Sequence, residues 1–508
     1  MRTCCSSRSS ASCPATTSGG VTRLGVLVFA IVLLAVGGTL VSLNGCGGVS
    51  GTNPGSTGKI QHVVIIFQEN RTPDNLFQGL CTANGGVPGC GTSSTQYDLA
   101  QRGKDSTGNT IQLKQVNLAV DYDMDHSHTA FSQMCDLNAA GQCQMDGANL
   151  IQVGCKPGAT DCPAPDLQYG YVDPTQVQPY LQLAEQYTFA DRMFQTNQGP
   201  SMPAHQFIIS GTSAPKAGSN LFASENPKTS GPPDAGCDAP AGSTVKLIDP
   251  AGSEDSNAAI YPCFDHPTLT DLLEAKGDTW RYYTSSGYAG GSGLAFWNGP
   301  EAIQHICGTL TSSSTCGGAD FTSHVILNQT QILTDVANQQ LPDVSWVIPS
   351  GQASDHAGSL EGNQGPSWVA SVVNAIGNSR YWANTAIFIA WDDWGGWFDH
   401  VAPPQVLVNC AQWGCGYVYG FRVPLIVVSP YAKAKYISKK QHDFGSILKF
   451  IEGTFGLPSL GYADAVADDL SDCFDMNQTP LPFQTIPSAL NAQFFLNDKT
   501  PPLDPDDD

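Results

Sequence analysis

Positive charge is scarce in this chain. Of 508 residues, 23 are lysine or arginine against 45 acids, the net charge is −22, and charged residues of all kinds make up 13%. No block of basic residues occurs anywhere, which excludes a nucleic-acid partner held through its phosphates, because that contact needs clustered Lys and Arg. An acidic protein that meets a phosphate must supply positive charge locally, and a bound metal ion does so. Tight Cys-x-x-Cys pairs beside histidines are also lacking, which argues against a structural zinc module. Internal repeats are not evident.

Cysteines themselves are plentiful, 17 in all. Many form short-range couples: Cys81 and Cys90, Cys135 and Cys143, Cys155 and Cys162, Cys307 and Cys316, Cys410 and Cys415. Disulfides in an oxidising compartment follow from this usage. Cys237 and Cys263 are available to each other, which leaves Cys473 odd. The N-terminus agrees with export. Arg2, Arg8 and Arg23 precede an apolar segment from Leu24 to Leu43, and Leu43-Asn44-Gly45-Cys46 resembles a bacterial lipobox with an atypical Asn44. Residues 1–46 are therefore expected to be a signal or lipoprotein segment, or else a membrane anchor of about twenty apolar residues. Residues 47–57, rich in Gly and Ser, read as a flexible linker. A catalytic domain is expected over 58–495 and a disordered acidic tail over 496–508.

Within the domain the pattern is α/β. Val63 to Phe67, Leu341 to Pro349, Ala386 to Ala390 and Val423 to Pro430 are apolar runs of strand length, as for strands buried on both faces of a mostly parallel central sheet. Trp280 to Tyr283 reads as a further strand. Helices are predicted from a capping-box-like Thr268 to Gly277, over Pro366 to Ile376, and over His442 to Phe455, whose apolar positions recur at helical spacing. Pro179 to Phe194 is read as one more amphipathic helix. Cys81 to about Asp166 is a long, disulfide-pinned excursion, and no element is placed within 211–262.

Polar clusters close three of these strands. Gln68-Glu69-Asn70-Arg71 follows the first, Ser354-Asp355-His356 the Leu341 run, and Asp392-Asp393-Trp394-Gly395-Gly396-Trp397-Phe398-Asp399-His400 the Ala386 run. Open α/β sheets bind ligands at the carboxyl ends of their strands. Acids are costly to cluster there unless a cation or reacting group neutralises them. Taken singly, each cluster has a plainer reading: Glu69 and Asn70 as helix caps, Asp125-His126-Ser127-His128 as a surface His-x-His, and Ser201 in Gly199-Pro200-Ser201 as an N-cap serine. The shared strand-end position of Glu69-Asn70, Asp355-His356 and Asp392-Asp393 with Asp399-His400 favours one metal-containing cleft.

The runs HVVIIFQENRTPDNLF, GPSMPAHQFIISGT, LPDVSWVIPS with the following SDH, WDDWGGWFDHVAPP and FRVPLIVVSPYAK resemble, in order over residues 58 to 460, the bacterial phosphoesterase family of phospholipases C and acid phosphatases. That family is a branch of the alkaline-phosphatase-like superfamily. The resemblance implies a divalent metal (Ca, Mg, Mn, Fe or Zn) on Glu69, Asn70, Asp392 and Asp393. It implies a nucleophile at Ser201, phosphate-pocket histidines at His126 and His356, and a histidine near the nucleophile at His205. Asp399 and His400 would support the site, and Arg71 would either neutralise phosphate or serve the structure. The implied substrate is a phosphate ester or phospholipid, and the implied product of attack is a phosphoserine. Two departures stand out. His266 and His305 match no family motif, so a further pocket histidine is without a counterpart. The C-terminal β-rich domains of larger phospholipases C have no length left here, so choline-lipid specificity is not carried over.

Two other functions compete. A sulfatase or phosphodiesterase could use the same scaffold, but the sulfatase motif requires an arginine after Cys/Ser-x-Pro-x, and the chain has His205 there. A non-catalytic surface binding protein would suit the loop-rich composition but leaves the acidic strand ends unexplained.

Overall fold

A computed structural model of the chain describes residues 58–81, 89–228, 235–286, 295–358, 362–405 and 418–502. These fall in one compact unit, Gly51–Asp508. The expected signal segment and the Cys410–Cys415 couple lie outside the described residues. Among the described residues no helix is long and apolar enough to cross a membrane.

The centre is an eight-stranded sheet. In chain order its strands are β1 (His62–Gln68), β2 (Thr188–Ala190), β3 (Trp280–Tyr283), β4 (Val325–Ile326), β5 (Val344–Val347), β6 (Thr385–Trp391), β7 (Leu425–Val428) and β8 (Tyr436–Ser438). Their spatial order is β4-β3-β5-β1-β6-β7-β2-β8. Every strand runs parallel to the rest except β7, which is antiparallel to both β6 and β2. The continuous apolar runs of β1 and β6 follow from burial on both faces: Val63 to Phe67 and Ala386 to Trp391 are all 0% exposed.

Side-chain alternation assigns the helices to opposite faces. Phe67 of β1 meets Phe444 and His205 edge-on at 5.2 and 5.0 Å, so the helices Ser201–Ser210 and Phe444–Phe455 cover that face. Trp391, in register with Gln68, points the other way and meets Tyr180 of the helix Gln178–Gln186 at 5.1 Å. The helix Gln364–Gly377 packs on that second helix.

The capping box is present as expected, Thr268 with Asp271, and Gly277 ends the helix Leu269–Lys276 in the left-handed region. Three readings change. The helix expected over Pro179 to Phe194 stops at Gln186, because Thr188-Phe189-Ala190 is pulled into the sheet between β7 and β8. Residues 211–262 hold a three-stranded antiparallel sheet, Phe222–Ala223, Val245–Ile248 and Glu254–Ile260. The helix Ala492–Asn497 crosses the expected 495/496 boundary, and Pro501 O accepts a hydrogen bond from Gln352 Nε2.

Among the described residues five disulfides pin the loops: Cys81–Cys90, Cys135–Cys143, Cys155–Cys162, Cys237–Cys263 and Cys307–Cys316. Cys473 is a buried free thiol. A second apolar cluster, containing Met124, Phe131, Trp394 and Trp397, sits beneath the excursion and joins it to the turn after β6.

Candidate active site

Strand register sets the site. Gln68 of β1 lies beside Trp391 of β6, so Glu69 and Asp392 leave the sheet at the same level. Glu69 falls on the Phe67 face and thus beneath the Ser201 helix. Asn70 then turns into the left-handed region at φ 58, and its N–H donates to Asp392 Oδ1 at 2.9 Å. The same Asp392 oxygen accepts from Asp393 N at 2.7 Å, while Asp393 Oδ1 accepts from Gly395 N at 2.7 Å. Backbone donors hold one oxygen of each aspartate. Asp392 Oδ2 and Asn70 Oδ1 are buried with no hydrogen-bond partner among the described residues.

Two glycines make this turn possible. A Cβ on Gly395 would lie 2.4 Å from Asn70 O, and one on Gly396 would lie 2.4 Å from Met124 Cβ. Both glycines also have positive φ, 58 and 72, a region that costs other residues.

Ser201 is the first residue of its helix and Pro200 is the N-cap, so the N-cap reading of Ser201 does not hold. Its Oγ donates to Glu69 Oε2 at 3.4 Å. One turn on, His205 Nε2 lies 3.1 Å from Glu69 Oε1, and its Nδ1 lies 3.2 Å from Tyr282 OH, which donates to Trp297 O at 2.8 Å. Burial, and after it the charge of Asp392, holds the Glu69 carboxyl well above the usual carboxylate range. Burial lowers His205 to about 4 against the opposing pull of Asp392. Glu69, His205 and Asp392 offer ligand atoms within 4.8 Å of one another, all buried.

His126 closes the other side. Its Nδ1 donates to Met124 O at 2.8 Å, its Nε2 accepts from Asn70 Nδ2 at 3.0 Å, and the ring nitrogen lies 4.0 Å from Asp393 Oδ2. His356 stands edge-on to it with ring centroids 5.8 Å apart, and its Nδ1 donates to Ala357 O at 2.7 Å. Since a carbonyl can only accept, both rings present Nε2 as the working nitrogen. All eight residues singled out from the sequence (Glu69, Asn70, His126, Ser201, His205, His356, Asp392 and Asp393) are thereby linked by short contacts in one cluster, each at most 1% exposed.

The capping reading of Glu69 and Asn70 fails, because Thr72 caps the helix Pro73–Leu76. The surface His-x-His reading fails too, His126 and His128 being buried. Arg71 serves the structure: its guanidinium donates to Asp355 O, Asn75 Oδ1 and Leu118 O. Asp399 accepts from Arg422, and His400 bridges Asp74 and Asp98. His305 is taken up by Asp265 and Asp271, and the Nδ1 of His266 by Pro267 O. Sequence reasoning missed Tyr282, an ordinary core-strand tyrosine in the sequence, and Asn226, whose Oδ1 accepts from Met202 N at 2.9 Å beside Ser201.

Hard oxygen donors around two orphaned buried oxygens fit a divalent cation. The chain is 23% identical over 482 residues to phospholipase C A of Mycobacterium tuberculosis, covering 85% of this chain and 80% of that relative. It is 24% identical over 478 residues to the non-hemolytic phospholipase C of Pseudomonas aeruginosa, covering 86% of this chain and 60% of that one. A solved structure of a protein in the alkaline phosphatase superfamily from Vibrio parahaemolyticus aligns over 57% of this chain and 64% of its own, with a TM-score of 0.30 and 11% identity. The Phosphoesterase family model matches residues 60–458, and the chain belongs to that family of hydrolases acting on phosphate esters.

Proposed function

We propose that this protein is an exported, metal-dependent phosphoric ester hydrolase of the phospholipase C or acid phosphatase type that works through Ser201. The observation that carries this reading is the contact of Ser201 Oγ with Glu69 inside the cluster that also holds Asn70, Asp392 and Asp393. Those four residues would hold the cation, with His205 beside them. When bound, the cation supplies Lewis-acid charge for the non-bridging phosphate oxygens and favours ionisation of the serine hydroxyl.

The chain's own groups do the rest. Ser201 Oγ attacks phosphorus, and its proton passes to the Glu69 carboxylate, whose Oε2 lies 3.4 Å away. As the Oγ–P bond forms, the ester P–O bond breaks, and the departing alkoxide takes the proton that Glu69 received. The Nε2 of His126 or His356, an acceptor because Nδ1 holds the ring proton, then takes a proton from the water that hydrolyses the phosphoserine, and that proton goes to the released Ser201 oxygen. Backbone carbonyls fix both rings for this exchange.

Five disulfides support an oxidising compartment, and Cys46 would be the lipid attachment point. Purified protein should release p-nitrophenol from p-nitrophenyl phosphate and lose that activity on metal chelation. Ser201→Ala should lower it by roughly three orders of magnitude or more while leaving the melting temperature unchanged. Undiminished turnover in Ser201→Ala would remove the serine from the mechanism. A panel of phosphomonoesters, phosphodiesters and phospholipids then assigns the substrate.

A further inference from the structure

The carboxyl edge of the sheet holds a second feature beside the cluster. β4, β3 and β5 are parallel neighbours, with β5 next to β1, so the residues following all three leave the sheet on the side where Glu69 and Asp392 lie. They line a pocket of about 480 Å³, closed by the C-terminal segment. Gln352 donates through Nε2 to Pro501 O at 2.6 Å and pins that segment in place. Three residues separate Gln352 from His356, a reach of at most about 14 Å of extended chain, so the pocket wall lies within that distance of the cluster.

The lining is neutral and hydrogen-bonding. Hydroxyls and carboxamides dominate, among them Ser285, Asn328, Gln329, Thr334, Ser350 and Gln352, and Asp498 and Lys499 offset each other in charge. Gln329 donates to Ser350 Oγ at 3.2 Å, while its buried Oε1 has no hydrogen-bond partner among the described residues. A buried amide oxygen without a donor is unfavourable, and a hydroxyl group brought to it would satisfy it. A quaternary ammonium group is recognised by faces of Trp and Tyr. The lining residues include neither, and Phe495 is 4% exposed. An anion would need net positive charge, which the wall does not supply.

We propose that this pocket binds an uncharged polyhydroxylated group, such as an inositol, glycerol or sugar moiety, carried by the phosphate ester that the Ser201 site cleaves. This rests on the hydrolase reading above for the role of the group, but not for its binding. Calorimetric titration with myo-inositol should show saturable binding, and choline chloride should show none. Gln329→Leu should weaken inositol binding about tenfold through loss of a buried hydrogen-bonding group, and Thr334→Val should weaken it in the same direction, both with unchanged melting temperature. In turnover, Gln329→Leu should raise KM for inositol 1-phosphate by a similar factor and leave KM for p-nitrophenyl phosphate alone.

Absent inositol binding, equal binding of choline, or unchanged affinity in both variants overturns the pocket. Inositol binding without any KM effect assigns the pocket to a free polyol and overturns its part in substrate recognition. Polyol binding in a protein that hydrolyses no phosphate ester sinks the hydrolase reading and leaves the pocket standing.

Discussion

Asp392 Oδ1 accepts from both Asn70 N and Asp393 N, and the Asp392 and Glu69 carboxyl groups come within 4.8 Å of each other. Two buried carboxyl groups this close repel when both are ionised, and a cation relieves that repulsion. Asp392→Asn should therefore lower bound metal, read by elemental analysis, and phosphate release together. Gly395→Ala tests the support of the same pair. A methyl group there meets Asn70 O and Cβ at 2.4 and 2.6 Å, and the residue keeps positive φ. Overpacking of this kind costs about 1–3 kcal/mol, with about 1 kcal/mol more from backbone strain. Urea unfolding should show that loss, and metal content should fall because Asn70 must move. At this scale Glu69 and the two aspartates were legible as acids ending apolar strands. Ser201 and His126 were not, because each had a plainer local reading and only the ordered set of motifs singled them out. Tyr282 carried no signal, since its partner His205 lies 77 residues away.

Elements meet the site through buried charge. Arg422, just ahead of β7, donates to Asp399 through Nε and Nη2 at 3.1 and 2.9 Å and to Asp74 at 3.4 Å. It ties the helix Pro73–Leu76 to the turn after β6, and Arg422, Asp399 and Asp74 are all at most 1% exposed. Arg422→Met would leave buried carboxylates unpaired at a cost of about 3–5 kcal/mol. Chemical denaturation should show it, and a loss below 1 kcal/mol would contradict the pairing. β1, β5, β6 and β7 were readable in the sequence because burial on both faces leaves an uninterrupted apolar run. The small sheet between Phe222 and Ile260 was not, because two of its three strands have only two and four residues and are set among Gly and Pro. Tyr187 to Phe194 continued a helical spacing of aromatics by coincidence, while pairing of Thr188–Ala190 with β7 and β8 decided its conformation.

For the whole molecule, acid excess is balanced locally and by pH. Burial opposes a charge on His400, but Asp74 and Asp98 outweigh it and raise the imidazole to about 10. An unfolded histidine titrates near about 6.5. Its contribution is thus fully present below that pH and is lost as pH rises through about 10. Melting temperature should fall between about pH 6.5 and 10, and His400→Gln should flatten that fall. Reduction should also lower the melting temperature, since each of the five disulfides contributes roughly 2–4 kcal/mol. The central claim is that Ser201 carries the phosphoryl group beside a metal held by Glu69, Asn70, Asp392 and Asp393. Acid quench of the enzyme during turnover of a phosphate ester, followed by mass spectrometry of its peptides, tests it most directly. The account predicts phosphate on Ser201, and phosphate on another side chain, with Ser201 unmodified, would contradict it.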